Sequence, residues 1–85
     1  MNRKSIICLT ILEILRDCGG HALPEGTLRA HLNMRERPAV FDDEAQAALA
    51  YLAQQGHARA MPGEMGDDEP RWLITEKGQA ALLQR

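Results

Sequence analysis

The stretch Leu49-Ala50-Tyr51-Leu52-Ala53-Gln54-Gln55-Gly56-His57-Ala58, with Trp72-Leu73-Ile74-Thr75-Glu76-Lys77-Gly78 further on, decides the fold. Leu49 and Leu52 continue an apolar stripe begun by Ala45 and Ala48, which is the spacing of a helix with one buried face. Gly56 stops that helix, because glycine takes the left-handed backbone that closes a helix at C′. His57 to Met61 and Arg71 to Ile74 then read as short strands around the turn Pro62-Gly63-Glu64-Met65-Gly66. Trp72 and Ile74 share one face by period-2 alternation, so residues near Ala58 to Ala60 are expected to pair antiparallel with them. Thr75 is placed to cap a last helix that returns Ala80, Leu82 and Leu83 to the core.

Upstream, Ile7, Cys8, Ile11, Leu12, Ile14 and Leu15 form a broad helical stripe from Ser5, the expected N-cap, to Asp17. Thr10, Glu13, Arg16 and Asp17 fall on its polar side, and Gly19-Gly20 ends it. His21-Ala22-Leu23 is long enough only for an edge strand, and Pro24 suits the first position of a second helix, Glu25 to Leu32, with Leu28 and Leu32 inward. Asn33 to Val40 reads as a loop, since Asn closes helices and Pro38 disfavours helical geometry at Arg37. Asp42 is the expected N-cap of the third helix, which runs to Gln55.

Composition narrows the class. With 85 residues, 45% of them apolar, the chain fits one domain over residues 1–85 with a small core and no room for a second. One Phe, one Tyr and one Trp leave that core to Leu, Ile and Ala, which suits closely packed helices. A net charge of -2 supplies no general attraction to polyanions, so any nucleic-acid contact must be local. Cys8 and Cys18 would lie about 15 Å apart along one helix, beyond disulfide reach, and free thiols suit a reducing cytoplasm. The apolar start is broken by Glu13 and falls far short of the ~20 residues that span a bilayer, so it reads as a buried helix rather than a membrane segment.

The order helix, short strand, helix, longer helix, strand, wing, strand, helix resembles the bacterial winged helix-turn-helix superfamily, including regulators of the MarR and PadR kind and small phage-encoded members. Residues 49–58 look like that family's recognition-helix end and residues 72–78 like its post-wing segment. The resemblance implies a mainly α fold with a small β-hairpin wing, an α+β arrangement of three core helices plus a C-terminal helix. It also implies a third helix in the major groove and a wing at the phosphates or minor groove. The chain departs from DNA-binding members at both elements. Its third helix has no Lys or Arg and begins Asp42-Asp43-Glu44, and its wing carries Glu64, Asp67, Asp68 and Glu69. The acids at the helix start suit N-terminal capping and the helix dipole, with ligand binding as the alternative, and in either role they repel phosphate. Gly78 is expected to permit close backbone approach, to the first helix.

Two sets of residues are candidates for function. For duplex DNA, Arg29 on the second helix with Arg35 and Arg37 in the following loop would hold phosphates, joined by Arg3 and Lys4, while Gln46 and Gln54 would read adenine edges. For a protein partner or a homodimer, Ala47, Ala50, Tyr51 and Gln54, continuing from Asp43, make a charge-poor stripe opposite the core. The competing explanations are a solvated cationic surface for the first set and, for the second, cover by the Asn33 to Val40 loop or alanine chosen for helix propensity. Cys18, His21, His31 and His57 lack the paired spacing of a metal site, and no phosphate loop or nucleophile elbow accompanies them. The expectation is a non-catalytic, cofactor-free regulator associated with DNA or transcription; the alternative is a protein-interaction module on the same scaffold.

Overall fold

The apolar stripes read from the sequence meet in one core, built from Ile7, Ile11, Leu12 and Leu15, then Leu28 and Leu32, then Ala45, Ala48, Leu49 and Leu52, with Ala58, Trp72, Ile74 and Leu82 closing it. The structure is a computed structural model describing residues 2–19, 21–36, 39–61 and 70–84. In chain order it contains α1 (Arg3–Asp17), β1 (Leu23–Pro24), α2 (Glu25–Arg35), α3 (Asp42–Gln54), β2 (Ala58–Met61), β3 (Arg71–Ile74) and α4 (Glu76–Leu83). No helix among the described residues is long and apolar enough to cross a membrane.

Several boundaries differ from expectation for identifiable reasons. The α1 cap is Asn2 rather than Ser5: its side-chain oxygen accepts the Ser5 backbone N–H at 2.9 Å, making Ser5 the third helical residue. Thr10, expected on the polar side, is buried because its hydroxyl sits between the Ile6 carbonyl at 2.9 Å and the Glu36 carboxylate at 2.5 Å. Pro24 precedes α2 instead of opening it, with an extended ψ of 142° and a strand pairing to Arg71. That helix continues past Leu32 to Arg35, since Asn33 does not close it. The Asn33 side chain instead accepts the Val40 N–H at 2.7 Å and draws the following segment back onto the helix. Arg35 is therefore helical, not part of a loop.

At the start of α3 the N-cap position belongs to Phe41, which has no oxygen to offer, and Asp42 is the first helical residue. Glu44 supplies the returning half of a capping box by accepting the Phe41 N–H at 3.1 Å. The far end closes at Gly56, whose φ is +78°. Gly56 N–H reaches the Ala53 carbonyl at 3.1 Å and His57 N–H the Leu52 carbonyl at 2.9 Å, a Schellman motif with Gly56 at C′ as expected and Gln54 as the last helical residue.

The sheet has the order β1-β3-β2, antiparallel throughout, with Ala58 opposite Ile74 and Ala60 opposite Trp72. The expected pairing holds, and the edge strand reduces to Leu23–Pro24. The turn Pro62 to Gly66 and the acids Glu64, Asp67, Asp68 and Glu69 lie outside the described residues, as do Gly20, Arg37 and Pro38. Thr75 caps α4 by accepting the Gly78 N–H at 3.0 Å and donates its own hydroxyl to the Gly56 carbonyl at 2.6 Å. The close neighbour of Gly78 is not α1. It is the His57 carbonyl oxygen, with which any Cβ at this position would collide. Of the expected α4 core residues only Leu82 is buried; Ala80 and Leu83 are exposed, because this short helix turns only the Gly78 and Leu82 edge inward.

Candidate nucleic-acid interface

Helix α3 has two faces with opposite fates. Ala45, Ala48, Leu49 and Leu52 are buried and anchor it, whereas Asp43, Gln46, Ala47, Ala50, Tyr51 and Gln54 are exposed. None of the described residues in the connection from α2 covers that outer face. Gln46 and Gln54 stand eight positions apart, about 12 Å along the helix. Toward α1, the Lys4 ammonium lies 5.0 Å from the Tyr51 ring centre, a cation–π distance. Beside this contact runs a groove of about 470 Å³, floored by Cys8, Leu9, Leu12 and Leu52 and edged by Lys4 and His57. Both Cys8 and Cys18 are free thiols, and burial pushes the Cys8 thiol up.

Ion pairs partly neutralise the acidic start of α3. The Arg3 guanidinium meets the Glu44 carboxylate at 2.7 Å and also donates to the Ala39 carbonyl at 3.1 Å. The hydrogen bond from Arg3, seconded by the Phe41 N–H, holds the Glu44 carboxyl below its ordinary range, and the same contact raises the Arg3 guanidinium. Asp42 is matched by Arg29 at 3.4 Å.

Arg29 is thereby committed. Its guanidinium bridges Asp42 and Glu25, the latter at 3.2 Å, and its Nε is buried with no hydrogen-bond partner among the described residues. Glu25 is the centre of the cluster: one carboxylate oxygen accepts from Arg29 and from the Gln46 amide, each at 3.2 Å, and the other accepts the Trp72 indole N–H at 3.1 Å. Arg29 and Gln46 are thus brought together. Arg35 is not; it sits at the other end of α2, 3.5 Å from Asp17. Arg37 lies outside the described residues, Arg3 is engaged by Glu44, and Lys4 by Tyr51.

Two cations on the strands, Arg59 and Arg71, stand outside the set expected to hold phosphates, Arg71 being the first base after the acids at 64 to 69. Arg59 and Met61 on β2 pair with Leu73 and Arg71 on β3, so these four side chains share the sheet face opposite Trp72 and Ile74. Arg59 and Arg71 are diagonal neighbours there, about 7–8 Å apart at most. Neither forms an ion pair with another described residue. The signal was available in the alternation that places Trp72 and Ile74 inward, since the same register turns Arg71 and Arg59 outward.

Among solved structures, the chain is similar to a winged-helix DNA-binding protein, F93 from STIV, with a TM-score of 0.75, 19% identity, and coverage of 99% of this chain and 85% of that one. It is also similar to TA0346 from Thermoplasma acidophilum, a protein proposed to be a transcriptional regulator, with a TM-score of 0.75, 17% identity, and coverage of 96% and 76% respectively. The fold is a winged helix. No family model and no curated protein matches the chain. Within the winged helix, α2 and α3 are the helix-turn-helix pair, and β2 and β3 are the strands of the wing.

Proposed function

We propose that this winged helix is a small, non-catalytic, DNA-associated regulator that lays the outer face of α3 in the major groove of a duplex. One observation carries the reading: that face is exposed from Asp43 to Gln54 while the opposite face is locked in the core, leaving a rigid helix free to enter a groove. The small side chains of Ala47 and Ala50 allow close approach, and Gln46 and Gln54 are the groups for base edges. Phosphate positioning falls to Arg59 and Arg71 on the wing strands, joined by Arg37 and by Arg35 at the end of α2, whose contact with Asp17 is exposed and solvent-screened. Arg29 is left out because Glu25 and Asp42 already hold it in a more buried cluster. The free thiols suit a reducing, cytoplasmic setting.

A salt-dependent duplex titration tests this. Replacing Arg59 and Arg71 together by Ala should weaken binding and reduce the slope of log K against log salt by about 0.9 per lost phosphate contact. Replacing Arg35 and Arg37 should act in the same direction, and Arg29→Ala should leave the slope unchanged. A wild-type chain that binds no duplex at low salt sinks the reading. A second reading, a protein-partner or homodimer surface at Ala47, Ala50, Tyr51 and Gln54, is favoured by the aromatic ring left in solvent on it, Tyr51 being 42% exposed.

A further inference from the structure

Resting on the DNA reading above, we infer that Glu25 is a positioning residue that fixes the direction of the Gln46 amide and thereby makes an adenine-bearing base pair the one that this position of α3 reads. An ionised carboxylate only accepts hydrogen bonds, so the side of Gln46 that faces Glu25 must be its NH2 group, as the 3.2 Å contact from Nε2 has it. The amide oxygen is then directed away from Glu25, and one N–H remains unused. A flipped amide would set oxygen against oxygen.

Glu25 is itself held from three sides. Its carboxylate takes the indole N–H of buried Trp72 on β3 and the Arg29 guanidinium on α2, and its backbone N–H donates to the Pro70 carbonyl at 3.0 Å. Its side chain is 13% exposed, so the anchor is mostly shielded from solvent, while Gln46 projects from it into solvent. What Gln46 offers outward is one acceptor beside one donor. Adenine presents the complement in the major groove, with the N7 acceptor next to the N6 amino donor. Because the side chain is ordered before any duplex arrives, its rotamer entropy is lost in folding rather than in binding. The same carboxylate ties α3 to the wing strand through Trp72, so the base-reading amide and the wing keep one relative placement.

The test has two arms on the full chain. In the free protein, nitrogen-15 relaxation of side-chain amides should find Gln46 ordered and Gln54 mobile, and the isosteric E25Q variant should bring Gln46 to the mobility of Gln54 with the circular dichroism unchanged. A Gln46 amide as mobile as Gln54 in the wild type, or unaffected by E25Q, overturns the inference without reference to DNA. In the second arm, a duplex selected from a randomised pool is altered one base pair at a time. Wild type should discriminate one adenine pair by about 5- to 100-fold. Q46A and E25Q should each lose discrimination at that pair alone, the double variant should lose no more, and the salt slope should stay constant because no phosphate contact is touched. Retained discrimination in E25Q, or a Q46A loss at a pair without adenine, overturns the proposal. Should E25Q unfold the chain, Q46A decides alone, by whether its loss maps to an adenine pair. Absence of wild-type duplex binding overturns the DNA reading, and this role with it, whereas binding with the wrong discrimination overturns only the role of Glu25.

Discussion

The two ends of α3 are held by different physics. At its C-terminal end the fixings are backbone, joined by one neutral side chain: a Schellman closure at Gly56, the His57 carbonyl lying against Gly78, and the Thr75 hydroxyl spanning the gap between them. At its N-terminal end the fixings are side chains: Arg3 on Glu44, Arg29 on Asp42, and Gln46 on Glu25. Backbone fixings are short-range, insensitive to salt and intolerant of added atoms. Charged side-chain fixings near the surface are screened, weaker, and adjustable. Of the two amides proposed to meet bases, Gln46 stands at the end held by side chains and Gln54 at the end held by backbone.

The sharpest break in this contrast comes from adding one methyl group at the rigid end. Gly78→Ala should cost about 3 kcal/mol or more, because its Cβ would collide with the fixed His57 carbonyl and lie 2.8 Å from Ile74 Cγ1. Urea denaturation followed by circular dichroism measures this; a loss below 1 kcal/mol would show that the β2 entrance gives way. Gly56→Ala at the same joint should cost only about 1 kcal/mol, since its Cβ would meet no more than the Lys77 side chain at 3.6 Å and the penalty is the left-handed φ alone. Gly56→Asn should recover part of that loss. Thr75→Ala should likewise cost about 1 kcal/mol through the lost N-cap. Equal losses at the two glycines would contradict the distinction between a position that needs space and one that needs conformation.

How much of this was legible in the sequence follows the same division. Gly56, Thr75 and Gly78 announce themselves by residue type, because closure, capping and close approach each require a particular side chain within a few positions. The strand pairing was legible for the same reason, from Trp72 and Ile74 in alternation. The other end depends on partners far apart in sequence: Arg3 and Glu44 are 41 positions apart, and Glu25 and Trp72 are 47. The i, i+4 spacing of Glu25 and Arg29 is a local sign that the Arg29 charge is spent, but nothing local marks Glu25 as the hub that also takes Gln46 and Trp72. Asp42 read as a cap because Asp is a good one, yet the chain puts Phe41 there and satisfies the backbone from Glu44 instead. The site was therefore legible as a helix face, and illegible as a set of committed and uncommitted charges.

Acid should act on the adjustable end. The folded Glu44 carboxyl is depressed relative to the unfolded chain, so its pairing stabilises the protein above the ordinary glutamate range and is lost as pH falls through the lower folded value. Between those values the wild type should lose stability with falling pH more steeply than Glu44→Gln, which has no such proton to take up. Thermal melts across that window measure the difference, and added salt should shrink it. Parallel profiles for the two proteins would mean the Arg3 contact contributes nothing to the fold.

The smallest expected effect on stability separates the two functional readings. Ala48 and Ala50 are two positions apart on α3, but Ala48 is fully buried and Ala50 is exposed. Ala50→Arg should therefore leave the melt within about 0.5 kcal/mol of wild type, because nothing in the core has to move. Its consequence lies outside the chain. If the Ala47, Ala50, Tyr51 and Gln54 face is a homodimer surface, wild type at high concentration should sediment as a dimer and the variant as a folded monomer, since a large charged side chain cannot be buried against its own copy without a partner. If α3 serves a duplex alone, both proteins should sediment as monomers, and the variant should alter only the duplex titration. A wild-type monomer at high concentration thus removes the homodimer, and leaves the outer face of α3 to DNA or to a different protein.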